Sequence, residues 1–207
     1  MARPRTDIRP RLLGAARERF LSDGVDGASL RAIARTAKTS IGMLYYYFPS
    51  KDDLFFAVVD EVYSDLLADL TRALAADAPA EERLARLYAR LAEITDNEVD
   101  IVRLVAREIL APSPRLARLI DRFTRGHLPL VIDTLRAGLA EGHLDGRFPP
   151  PLLLVLTFAV GALPQLIRRA GSDLPLFADL PEPQAMAQLS LDALLYGIAS
   201  GKGGRSS

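Results

Sequence analysis

Apolar residues along this chain recur three and four positions apart, the repeat of helices that each turn one face to a core. The strict alternation of a half-buried strand is missing, so the pattern predicts an all-α fold. Ile8, Leu12, Leu13, Ala16, Phe20 and Leu21 form one stripe, predicting a first helix over roughly residues 8–23 with Gly24 as its stop. Ser29 is a good N-cap for a second helix reaching about Ala37, with Leu30, Ile33, Ala34 and Ala37 on its buried side. A brief third helix spans about Ser40 to Phe48, and Pro49 ends it by disfavouring helical geometry at Phe48. Ser50, with Asp53 three residues on, caps a long fourth helix carrying Leu54, Val58, Val62, Leu66 and Leu70.

Beyond Pro79 the helical repeat continues. It predicts helices over roughly residues 80–95, 98–111, 114–142, 150–171 and 183–199, about nine in all. Pro129 and Pro164 are expected to kink the helices that contain them. Residues 174–183, with Pro175, Pro181 and Pro183, read as a loop, and the Gly-rich tail over 201–207 as disordered.

One stretch raises a different possibility. Phe148 to Ile167 is 20 residues without a formal charge, close to the length of a membrane span. Pro149, Pro150 and Pro151 open it, and Pro164 and Gln165 interrupt it. The apolar core that remains, Leu152 to Leu163, has the length of a buried or interface helix. A helical membrane-associated or structural protein using this segment is therefore one reading of the chain.

Cysteine is absent, which excludes disulfides, thiolate nucleophiles and Cys-based zinc sites. The two histidines, His127 and His143, lack ligand spacing, so no metal site is expected. No cofactor is implied, and no nucleophile elbow, phosphate loop, zincin motif or dinucleotide fingerprint is found; an enzyme is not expected. The N-terminus is basic but has no apolar stretch behind it, so a cytoplasmic protein is expected.

Charge separates the chain into unlike parts. The formal net charge is zero, with 26 basic and 26 acidic residues. Residues 1–51 hold 10 basic and 4 acidic side chains, a surplus of +6, while residues 52–207 hold 16 and 22, a deficit of −6. A small basic unit fits DNA and an acidic body does not.

Residues 29–51 make the basic unit specific. Two short helices joined by a tight turn form a helix-turn-helix, whose second helix can enter the major groove. On a helical wheel Leu44 and Phe48 define the buried side. Gly42, Met43 and Tyr46 fall opposite, with Tyr45 and Tyr47 on the flanks. Gly42 costs helix stability of roughly 1 kcal/mol but lets a backbone approach DNA closely. Tyrosine hydroxyls can donate to phosphates. Lys51 sits in the first turn of the fourth helix, where the dipole disfavours a cation unless a phosphate joins it.

The run Ser29, Arg31, Ile33-Ala34, Ala37, Ser40, Gly42, Leu44-Tyr45, Tyr47-Phe48-Pro49-Ser50-Lys51 and Leu54 resembles the TetR family of bacterial transcriptional regulators. The detailed match covers roughly residues 8–60, and the remainder resembles the family in helix layout. Lys38 departs from the glycine usual in the family's turn, and Thr39 replaces a more apolar residue. The resemblance implies a helix-turn-helix DNA-binding domain over 1–51 and a helical effector-binding and dimerisation domain over 52–200. It places Arg31 and Ser40 near the groove edge, Ile41, Gly42, Met43 and Tyr46 at bases, and Tyr45, Tyr47 and Lys51 at phosphates; Lys38 and Thr39 also fall in this DNA-binding set.

The implied partners are double-stranded DNA with a palindromic operator, a second copy of the chain, and an unknown small-molecule effector. Small residues on the last two helices suit a dimer interface: Ala159, Gly161 and Ala162 on one, Ser190, Ala193 and Gly197 on the other. Glu108 and His127 sit on otherwise apolar faces, where an ionisable group is either paired in the core or pointed into a pocket. Tyr63, Tyr88, Phe123 and Phe158 could line such a pocket with them. A repressor released from its operator by a mostly apolar ligand is the expected function.

Overall fold

The protein is described from a computed structural model, over residues 7–111, 113–171 and 174–197. Among the described residues there are ten α-helices: α1 (Ile8–Gly27), α2 (Leu30–Thr36), α3 (Ile41–Tyr47), α4 (Lys51–Ala73), α5 (Ala80–Ala92), α6 (Asp96–Leu110), α7 (Pro114–Thr124), α8 (His127–Ala140), α9 (Pro150–Ala170) and α10 (Pro183–Tyr196). A 3-10 turn at Pro175–Phe177 lies within the loop expected before α10. No strand occurs among the described residues, and the expected tail over 201–207 lies outside them.

The count exceeds nine because the single helix expected over 114–142 is two. Gly126 leaves the helical region (φ −110, ψ −114), and α8 starts afresh at His127. Proline lacks an N–H and its ring collides with the carbonyl four residues back, so a first turn is where Pro129 costs a helix nothing. The break upstream puts it there, turning an expected kink into a new N-terminus. Pro164, by contrast, lies inside a continuous α9. The first helix runs three residues further than Gly24, but Gly24 itself is left-handed (φ 72, ψ 166), so the expected stop is a kink within α1.

The chain forms two compact units. One comprises residues 1–66 with 95–122; the other comprises 67–94 with 123–207. In the first unit, Leu12, Leu13, Ala16 and Phe20 of α1 are fully buried with Ile33, Leu44, Leu54, Phe55 and Val58. Phe20 meets Phe55 edge-on at 6.1 Å. In the second unit α5 is central, packing on α8, α9 and α10. Its Tyr88 is buried and donates a hydrogen bond to the carbonyl of Thr157 at 3.2 Å. A Cβ on Gly161 of α9 would meet Leu91 at 3.0 Å and Tyr88 at 3.1 Å, so glycine lets α9 come this close to α5 without displacing either side chain.

Candidate nucleic-acid interface

The helix-turn-helix is assembled from local signals. Ser29 Oγ accepts a hydrogen bond from the Ala32 amide at 3.4 Å and starts α2; Ser40 Oγ accepts from the Met43 amide at 3.2 Å and starts α3. Between them the Lys38 and Thr39 amides donate to the carbonyls of Arg35 and Ala34, both at 3.0 Å, closing the turn. Lys38 occupies the left-handed region (φ 52), the one described non-glycine residue to do so. This backbone explains why glycine suits the position and why lysine there costs free energy. Phe48 is extended (φ −136, ψ 99) before Pro49. Ser50 then accepts from the Asp53 amide at 3.0 Å and donates to its carboxylate at 2.7 Å, opening α4.

Leu44 is fully buried and Phe48 nearly so, which anchors α3 as the wheel predicts. The outer side presents Tyr46, 77% exposed, and Tyr45, 50% exposed. Gly42 is exposed, while Ile41, Met43 and Tyr47 are half-buried. Tyr46 and Tyr47 pack edge-to-face at 5.4 Å, which restrains both rings. A Cβ on Gly42 would meet nothing nearer than Ser40 Oγ at 3.8 Å, and its φ lies outside the left-handed region. Neither packing nor backbone strain within the protein demands glycine at this position. Arg31, Lys38 and Ser40 are exposed and Thr39 is half-buried, so the expected DNA-binding residues share one short stretch with accessible side chains. Lys51 is half-buried, and its Nζ donates to the carbonyl of Asp26, near the end of α1, at 2.7 Å.

Residues matching the model of the tetR family of bacterial regulatory proteins run from 12 to 58, across this helix-turn-helix. The HTH-type transcriptional regulator UidR of Escherichia coli is 42% identical over 161 residues, covering 73% of this chain and 79% of its own. The chain belongs to the tetR family. The E. coli regulator RutR is another family relative, 34% identical over 140 residues; the match covers 67% of this chain and 63%, less than two thirds, of RutR. In fold the family likeness extends over nearly the whole chain. The Bacillus subtilis regulator FadR, solved with stearoyl-CoA, superposes with a TM-score of 0.69 at 20% identity, covering 92% of this chain and 99% of its own.

The remaining expected site residues fall in different places. Phe123, His127 and Phe158 come together in the second unit, with His127 5.2 Å from Phe123 and 5.8 Å from Phe158 between ring centres. Burial among these rings pushes the His127 pKa down to about 4, so the imidazole is neutral at pH 7. Tyr88 belongs to the same unit and contacts the backbone next to Phe158. Tyr63 and Glu108 belong to the first unit, and Glu108 is occupied by Arg115 at 2.9 Å and by the Ser113 hydroxyl. Of the small residues expected at the dimer interface, Ala159 and Gly197, which follows the end of α10, are exposed, Ala162 and Ala193 half-buried, and Gly161 and Ser190 buried.

Arg115 is a residue that sequence reasoning missed. It is buried, and ion pairs join it to Glu108, Asp26 and Asp52. Two of those partners lie more than 60 positions away, so no local pattern announces it.

Proposed function

We propose that this protein is a homodimeric transcriptional repressor that binds a palindromic operator through α3 and is released from it by a small, mostly apolar molecule. The observation that carries this reading is Gly42. An exposed glycine inside α3, on the side opposite buried Leu44 and not required by the protein's own packing, supports a close approach of a duplex there. Ile41, Met43 and Tyr46 then face base edges, with thymine methyl contacts and DNA shape contributing more than direct hydrogen bonds. Tyr45, Tyr47 and Lys51 hold phosphates, and Arg31, Lys38, Thr39 and Ser40 border the groove. Residues 1–51 act as the DNA-binding domain and 52–200 as the effector and dimerisation domain.

Two features of the second unit support the other roles. Leu152, Val155, Ala159 and Leu163 are exposed along one side of α9, as are Leu189 and Tyr196 on α10. These helices suit a two-fold interface, which reads a two-fold operator. Such an interface also accounts for the outward apolar surface of α9, a helix containing an 18-residue stretch whose mean hydropathy of 1.8 would otherwise suit a bilayer. The aromatic cluster of Phe123, His127 and Phe158, extended by Tyr88, supports an apolar effector. The stearoyl-CoA held by FadR makes a long acyl chain the first class to test. The setting is the bacterial cytoplasm, on the nucleoid.

A mobility shift with DNA flanking the protein's own coding region tests the reading. A sequence-preferring, salt-sensitive shift is expected, relieved by an acyl-CoA or another apolar effector. No such shift on any flanking fragment would overturn it.

A further inference from the structure

Arg115 lies at the start of α7, yet its side chain is withdrawn from solvent. Its Nε donates to Glu108 of α6 at 2.9 Å. Nη1 and Nη2 grip both carboxylate oxygens of Asp26 at 3.0 Å each, and Nη1 also reaches Asp52 at 3.2 Å. Burial opposes the charge on Arg115, but hydrogen bonds to Asp26, Glu108 and Asp52 outweigh it and hold its pKa above the ordinary value. One buried acid is enough to pair one buried cation, and Glu108, equally buried, does that. Asp26 and Asp52 are different. Their carboxylates are 84% and 38% exposed, and water alone could solvate them.

Both residues neighbour Lys51, and the Lys51 charge is felt at the Asp26 carboxyl. Asp52 is the next residue, and the Asp26 carbonyl accepts the hydrogen bond from Lys51 Nζ. The Arg115 hydrogen bond, with Lys51 adding its charge, holds the Asp26 carboxyl below its usual range, so it is ionised wherever DNA binding is measured. Left uncovered, two negative charges would face the same phosphate that Lys51 holds. We infer that Arg115 is a positioning residue for DNA binding, acting through Asp26 and Asp52 by masking their charge next to Lys51. The inference rests on the DNA-binding reading above. It gives α7, 64 residues from Lys51 in sequence at Arg115, control over affinity: withdrawing Arg115 uncovers the acids.

The test uses the full chain and a mixed-sequence duplex of about 30 base pairs at low salt, where phosphate contacts supply the affinity. Glu108→Gln with Arg115→Gln removes the buried ion pair together and leaves two amides to hydrogen-bond, with a thermal melt confirming the fold. This pair is expected to weaken DNA binding roughly tenfold at low salt, with a gap that closes as salt rises. Adding Asp26→Asn and Asp52→Asn is expected to restore affinity. The same two substitutions in the otherwise unchanged protein should leave binding intact or tighten it. If they weaken it as the Arg115 variant does, Arg115 acts as a structural bridge and the mask is wrong. A gap that persists at every salt concentration, or a failed restoration, also overturns it. Absence of salt-sensitive binding by the unaltered protein sinks the DNA reading and the mask with it.

Discussion

Gly42→Ala separates what α3 does for the protein from what it does for DNA. The added Cβ would meet only Ser40 Oγ at 3.8 Å, an ordinary van der Waals contact, and no positive φ stands in its way. Replacing a compatible glycine by alanine reduces the entropy of the unfolded chain and stabilises by about 0.4–1 kcal/mol. For a chain of this size that raises Tm by about 1–4 °C. On DNA the same methyl group stands where the backbone of α3 would come against the duplex, once in each half-site. Affinity for the operator should therefore fall by roughly tenfold or more, since each displaced half-site costs about 1 kcal/mol or more. Thermal melting reads the first effect and fluorescence anisotropy with the operator fragment the second. A more stable protein that binds DNA as well as before would show that Gly42 does not face the duplex. A less stable one would show that the packing around α3 has been misread.

Four further outcomes follow from the same geometry. Lys51→Ala should weaken binding to all duplexes about equally and flatten the salt dependence by close to one phosphate contact per half-site; a changed sequence preference would refute the phosphate role. Tyr46→Ala should alter the preferred sequence, and an unchanged preference in a binding-site selection would remove it from the groove. Lys38→Gly should relieve the left-handed strain and stabilise by about 0.5–1 kcal/mol while lowering DNA affinity at low salt, so melting and anisotropy should move in opposite directions. His127 has a folded pKa of about 4 against an ordinary 6.5, so the unfolded chain binds the extra proton between these values. Its neutral burial therefore costs nothing above pH 6.5, and stability falls as pH drops from 6.5 to 4, by up to about 3 kcal/mol. Urea melts of His127→Phe should lack that increment of acid loss, and parallel pH profiles for the two proteins would refute it.

The helix-turn-helix was legible because its signals are local. Ser29, Ser40 and Ser50 cap from one turn away, Pro49 restricts its neighbour, and Leu44 and Phe48 lie four apart on one side of a helix. The break at Gly126 was less legible, because Pro129 can either kink a helix or occupy its first turn. The choice depends on whether the helix breaks just upstream, and the break at Gly126 carries no local signal of its own. Gly161 illustrates the same limit. Its small size suits a dimer interface by pattern alone, whereas in the fold it admits Tyr88 and Leu91 of α5.

Periodicity, capping and charge by segment are properties of neighbouring residues, and they point to the all-α class and the helix-turn-helix, while the run from Ser29 to Leu54 carries the resemblance to the family. Which acid answers which base is a different kind of fact. Glu108 stood out as an ionisable group on an apolar face, but its partner Arg115, and the tie from Arg115 to Asp26 across 89 positions, exist only once the helices are packed. Long-range pairing depends on the distance between side chains in space, and along the chain that distance leaves no trace.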